Sequence, residues 1–205
     1  MNASELVALL LFATAMSFSP GPNTTLSTAL AANRGLRQAL RFCLAVPTGW
    51  TLLILACGFG LGTLVVNVPL LRWAVKGLGT GYMAWLAWRL LQQTSLASAA
   101  QDRALDVSFL RGVSLQFLNI KAWMLALTVT AGWVLNANGQ IAPNPGERLA
   151  ITAGLMASFA FSSNFTYALA GSLLRGWLET GDRLCWFNRG LALVLAATGV
   201  WMLTV

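Results

Sequence analysis

Three short runs in this 205-residue chain have residue types and spacing suited to holding a small polar molecule. They are Pro20, Gly21, Pro22 and Asn23; Asn119 and Lys121; and Asn164. Pro20 and Pro22 each delete a backbone donor and clash with a preceding carbonyl, so no continuous helix passes through Ser19-Pro20-Gly21-Pro22-Asn23. Gly21 between them opens backbone conformations closed to other residues. Asn23, Thr24 and Thr25 suit the start of a new half-helix, whose unpaired N–H groups favour an anion such as a carboxylate. A lone proline would read equally well as a kink satisfied by neighbouring helices. Pro-Gly-Pro followed by Asn favours a site.

Lys121 is the one charge well placed to lie inside the helix bundle, and an intramembrane charge is a functional candidate by default. It could pair with a substrate carboxylate, or lose its proton when desolvated and so report a transport state. The competing use is snorkelling, in which its long stem carries the ammonium to the interface. Asn164 sits mid-segment within Ser162-Ser163-Asn164-Phe165-Thr166-Tyr167. An amide there is expensive to leave unpaired, which predicts that it faces a cavity lining the pathway, with Pro47-Thr48 as its counterpart in the first half. Ser163 and Tyr167, at i and i+4, share one helix face.

The elements that carry these residues are dictated by composition. Apolar residues make up 57% of the chain, charged residues 9%, and mean hydropathy is +0.69. Soluble domains carry roughly 25% charged residues. Too few charges remain to solvate a globule, but several lipid-facing helices of about 20 residues can be built. Apolar segments fall at about 6–30, 39–66, 70–91, 112–135, 149–173 and 184–205. The first is broken at 19–23 and the fourth at 118–122. The longest polar interval, 92–111, divides them three and three. Because three is odd, the second half enters the membrane from the opposite side, which is the geometry of inverted repeats. The expected fold is therefore all-α: one transmembrane domain, 1–205, with repeats of about 1–92 and 108–205 and broken helices 1 and 4. Loops after odd-numbered segments hold nine Lys and Arg residues against three on the alternate side (Arg72, Lys76 and Arg148), which puts both termini outside. The first segment lacks a basic region ahead of it and reads as a retained helix rather than a cleaved signal.

Several function classes drop out. With no histidine, and with Cys43, Cys57 and Cys185 at spacings that match no metal motif, no metal site or cofactor is called for. Cys43 and Cys57 lie 14 residues apart on one segment, about 21 Å by helix rise, too far to pair. The net charge of +7 resides mainly in loops, so nucleic acid is not a partner; the lipid bilayer is. No phosphate-binding loop occurs. The glycines of 58–62 and 77–81 serve close helix packing within the monomer, with a homodimer contact as the second use. All six acidic residues, Glu5, Asp102, Asp106, Glu147, Glu179 and Asp182, lie at segment edges or in loops. A basic substrate would want a carboxylate in the bundle, so a small neutral zwitterion fits better. Export of a basic amino acid or another small solute, and a non-transporting membrane subunit, remain the alternatives.

The motifs resemble those of the LysE/RhtB amino-acid exporters. Ser19-Pro20-Gly21-Pro22-Asn23 is similar to that family's first-helix signature, followed by Gly35 in the next loop. Gly79-Thr80-Gly81-Tyr82-Met83-Ala84-Trp85 is similar to its third-helix stretch. Arg111-Gly112 through Phe117-Leu118-Asn119-Ile120-Lys121-Ala122 is similar to its second-half motif. Ile120 stands where the family commonly has proline, which predicts a gentler second break. The resemblance implies efflux of an amino acid or close metabolite of the threonine, homoserine, serine and cysteine class across the bacterial inner membrane. It also implies proton-motive force as the driver, with Pro20, Gly21, Pro22, Asn23, Asn119, Lys121 and Asn164 at the substrate site.

Overall fold

The computed structural model describes residues 1–96, 107–137 and 140–204. Residues 97–106, with Asp102, Arg103 and Asp106, lie outside the described residues. The first segment is two helices, α1 (Ala3–Phe18) and α2 (Pro22–Arg34), bent 52° apart. A reciprocal cap starts α1: Asn2 Oδ1 accepts the Glu5 N–H at 2.8 Å, and Glu5 Oε2 accepts the Asn2 N–H at 2.9 Å. Gly35, at φ +89°, turns the chain into α3 (Leu36–Gly58). The second expected segment, 39–66, is not one helix. Gly60 at φ +86° adopts a left-handed conformation that other residues rarely take, which ends α3 and starts α4 (Leu61–Asn67). Pro69 opens α5 (Pro69–Leu91) at a position where its missing N–H costs nothing.

The second half of the chain also begins with a broken helix. α6 (Phe109–Phe117) and α7 (Ile120–Val129) form the second broken helix, and a π-helical turn (Thr130–Leu135) extends α7. A small antiparallel ribbon, β1 (Asn136–Ala137) with β2 (Gln140–Ile141), precedes α8 (Pro145–Leu178) and α9 (Arg183–Thr204). Apart from that ribbon and the turns between elements, the described residues are thus helical. α3, α8 and α9 are long and apolar enough to cross a membrane, and each bent pair would make a further span. α5 has the length but carries Arg72, Lys76 and Arg89, so its hydropathy falls short of the others.

Packing runs between the halves. α2 lies against α8, and α6 and α7 lie against α3, while α3 packs on α8 and α5 on α9. Leu9, Phe42, Leu53, Ile54, Met156 and Leu195 fill the interior. Large apolar side chains also cover the outside, with Leu70 79%, Leu110 75% and Leu193 71% exposed, as suits a protein whose solvent is lipid. Glycines set the closest approaches. A Cβ on Gly171 of α8 would run into the Thr28 carbonyl, and one on Gly79 of α5 into the Leu118 carbonyl at the second break. Gly58 and Gly62 face Leu149 and Leu127 of the same chain, so that pair is used within the monomer. Lys76, assigned by charge counting to a loop edge, is buried in α5. Its Nζ donates to the Leu203 carbonyl at 3.2 Å, where the C-terminal end of α9 favours a cation.

Candidate substrate site

The first break frees three carbonyls, and each finds a donor. A continuous helix would direct the N–H groups of residues 20, 21 and 22 to the carbonyls of Met16, Ser17 and Phe18. Pro20 and Pro22 have no N–H, and the Gly21 N–H goes to Thr24 Oγ1 at 2.9 Å. The Met16 carbonyl accepts from the Ser19 hydroxyl at 2.9 Å instead. That of Ser17 accepts from Ser163 Oγ, and that of Phe18 from the Tyr167 hydroxyl at 3.0 Å. The shared face of Ser163 and Tyr167 therefore serves a broken helix in the other half of the chain. Gly21 has φ −173°, extended backbone open to any residue, so it is not there for its conformational freedom. The Lys121 ammonium lies beside it, 3.5 Å from where a Cβ would stand, an ordinary contact distance.

The second break needs no proline. Asn119 takes an extended conformation (φ −96°, ψ 99°), and its Oδ1 caps α7 by accepting the Lys121 N–H at 3.1 Å. The freed Phe117 carbonyl accepts from the Trp123 indole at 2.9 Å. The bend is 71°, sharper than the first, so Ile120 does not make it gentler. A side-chain cap on extended backbone ends a helix as firmly as proline does.

The two breaks face each other. Lys121 Nζ donates to Ser19 Oγ at 3.3 Å across 102 residues of sequence. Gly21, Pro22, Asn23, Asn119, Lys121 and Asn164 line one cavity, joined by Val46 and Trp50 of α3. Pro20 does not. It lies on the outer side of the break, in a recess shared with Lys121, Thr198 and Trp201. Pro47 and Thr48 also fall elsewhere, on a side groove with Phe109 and Phe161. Asn164 is held by two bonds: its Oδ1 accepts from Ser27 Oγ at 2.9 Å, and its Nδ2 donates to the Ala160 carbonyl at 2.8 Å. Trp50 could have been anticipated only as one turn beyond Val46 on α3. Gln116, which holds Asn23 from behind, carried no motif signal.

Among the described residues no acidic side chain lines the cavity, and the N-terminal ends of α2 and α7 both open towards it. Each such end carries roughly half a positive charge, so with Lys121 the site favours an anionic group. The cavity measures about 40 Å³, room for water but well short of the ~300 Å³ of a small-molecule pocket. Polar clusters flank it at both ends. Arg148 donates to Glu5 at 2.9 Å and to the Trp133 carbonyl at 3.1 Å, while the Trp133 indole donates to the Glu5 carbonyl at 3.1 Å. That cluster lies sixteen residues before Asn164 along α8, about 24 Å away. At the other end Asn33 and Asn188 exchange amide bonds at 2.8 and 2.9 Å, and Asn188 also donates to the Gln93 carbonyl at 3.2 Å.

Two broken helices meeting over a small polar cavity, inside a helical membrane protein, is the arrangement by which solute carriers hold their cargo. The chain belongs to the LysE type translocator family, whose profile matches residues 14–205. It is similar over nearly its whole length to the cysteine/O-acetylserine efflux protein of Escherichia coli (strain K12), at 28% identity over 205 residues covering 98% of each chain. The Shigella sonnei (strain Ss046) protein of that name matches to the same extent. That of Escherichia coli O139:H28 (strain E24377A / ETEC) is 28% identical over 200 residues, 96% of this chain and 94% of the relative. No solved structure matches the chain. The resemblance read from the motifs is thereby shown, and the chain is a transport protein rather than an enzyme.

Proposed function

We propose that this protein is a secondary exporter of a small neutral amino acid or close metabolite of the threonine, homoserine, serine and cysteine class. It acts in the bacterial inner membrane and is driven by proton-motive force. The carrying observation is the cavity lining: two half-helix N-termini and Lys121 for a carboxylate, with no acidic side chain among the described residues to select a basic cargo. The Asn164 carbonyl oxygen retains a lone pair for the ammonium. The names of the relatives put cysteine and O-acetylserine first among the compounds to test.

The spans form two inverted repeats, about 1–92 and 108–205, with α5 as the sixth span and both termini periplasmic. Reciprocal packing supports the repeat: the broken helix of each half lies on the long helix that follows the broken pair in the other half, α2 on α8 and α6–α7 on α3. Transport would open the Glu5–Arg148 end and the Asn33–Asn188 end in turn around the fixed cavity. Counterflow in proteoliposomes, with labelled neutral, acidic and basic amino acids, tests the reading. Exchange of cysteine, O-acetylserine, serine, threonine or homoserine is expected. Uptake confined to lysine or arginine would overturn the substrate class, and no exchange at all by folded protein would overturn transport.

A further inference from the structure

Gln116 ends α6 with its side chain fully buried, one turn after Gly112. Its Nε2 donates to the Gly112 carbonyl at 3.2 Å and to Asn23 Oδ1 at 3.2 Å, and its Oε1 accepts from Asn23 Nδ2 at 2.8 Å. A backbone carbonyl can only accept, so Gly112 decides which end of the Gln116 amide is nitrogen. That polarity passes to Asn23. With Gln116 fixed, a flipped Asn23 would set nitrogen against nitrogen and oxygen against oxygen. An amide nitrogen carries two N–H bonds, and the reciprocal pair uses the one beside the Asn23 carbonyl oxygen. The other points away from Gln116, on a side chain that lines the cavity.

We infer that Gln116 is a positioning residue that holds Asn23 as a hydrogen-bond donor towards the cargo carboxylate, and so helps the site select molecules that bear one. This rests on the carboxylate-binding cavity proposed above. Gly49 of α3 makes the arrangement fit. A Cβ there would fall 2.5 Å from Gln116 Cγ and 2.9 Å from the Val113 carbonyl oxygen. The missing side chain at Gly49 therefore leaves room for the Gln116 stem as it reaches Gly112 and Asn23.

The test compares L-cysteine with L-cysteinol, which replaces the carboxylate by an alcohol, as ligands of the purified protein and as competitors in counterflow. Wild type should prefer L-cysteine. Gln116→Met, of similar shape but with no polar ends, should cut that preference roughly tenfold by weakening L-cysteine alone, the size expected for one bond to a charged group. In an Asn23→Ala background the same change should do nothing further. Gln116→Leu, smaller than Met and likewise without polar ends, should act in the same direction and serves if Gln116→Met does not fold. Undiminished preference in a folded Gln116→Met protein would overturn the inference. So would equal weakening of both ligands, which marks a merely structural role. A wild type that does not distinguish the two compounds would sink the carboxylate site itself.

Discussion

Lys121 and Ser163 show two ways a single polar side chain earns a place inside a membrane protein. Lys121 reaches across the breaks to a neutral hydroxyl, with no carboxylate among the residues lining its cavity, so its charge is left to attract cargo. Lys121→Gln keeps a donor but removes the charge. Counterflow should fall to background while immunodetection shows normal insertion; normal exchange would leave Lys121 as an interface anchor. Ser163 instead stabilises the frame by donating to the Ser17 carbonyl freed at the break. Ser163→Ala orphans that buried carbonyl and should cost about 1–3 kcal/mol, seen as a lower thermal midpoint in detergent. Tyr167→Phe should cost less, because its hydroxyl lies nearer the surface.

Between elements, the two polar clusters that flank the cavity are held by different chemistry. The Glu5–Arg148 pair ties α1 to α8 with side chains 9% and 7% exposed, and the same glutamate also caps α1. A buried ion pair is a poor source of net stability, because desolvation offsets much of its attraction, but losing one partner strands the other. Arg148→Met should therefore lower the thermal midpoint more than the double change Glu5→Gln with Arg148→Met. Equal losses would show that Arg148 matters through its bond to the Trp133 carbonyl instead. At the opposite end the neutral amides of Asn33 and Asn188 pair, so the two clusters should differ in their sensitivity to salt, although burial limits screening.

For the whole molecule, the apolar exterior and the charge asymmetry bear on orientation. The arginines Arg34, Arg37 and Arg41 gather where α2 turns into α3, at the end of the molecule opposite Glu5 and Arg148. Under the positive-inside rule that end is cytoplasmic. A cysteine placed at Ser4, in a variant with the native cysteines replaced, should react with a membrane-impermeant maleimide added to intact spheroplasts. One placed at Gln38 should react only after permeabilisation. The reverse pattern would invert the direction assigned to the pathway.

The sequence alone determined that this is a helical membrane protein and that its first helix breaks at Pro20–Pro22. Both are local matters: partition into lipid sums over about 20 consecutive residues, and proline acts on the turn it occupies. The second break was marked by Asn119 and Lys121, but its sharpness was misjudged, because it depends on a side-chain cap and not on residue 120. The split of segment two at Gly60 was missed, since a lone glycine in an apolar run signals a left-handed turn no more than it signals close packing. Only the tertiary structure decided that Pro20 faces outward, that Ser163 and Tyr167 serve the broken helix, and that Gln116 stands behind Asn23. Those pairings join residues 93 or more positions apart. Hydrogen bonds between such positions depend on how helices cross, and no local pattern in the chain records that.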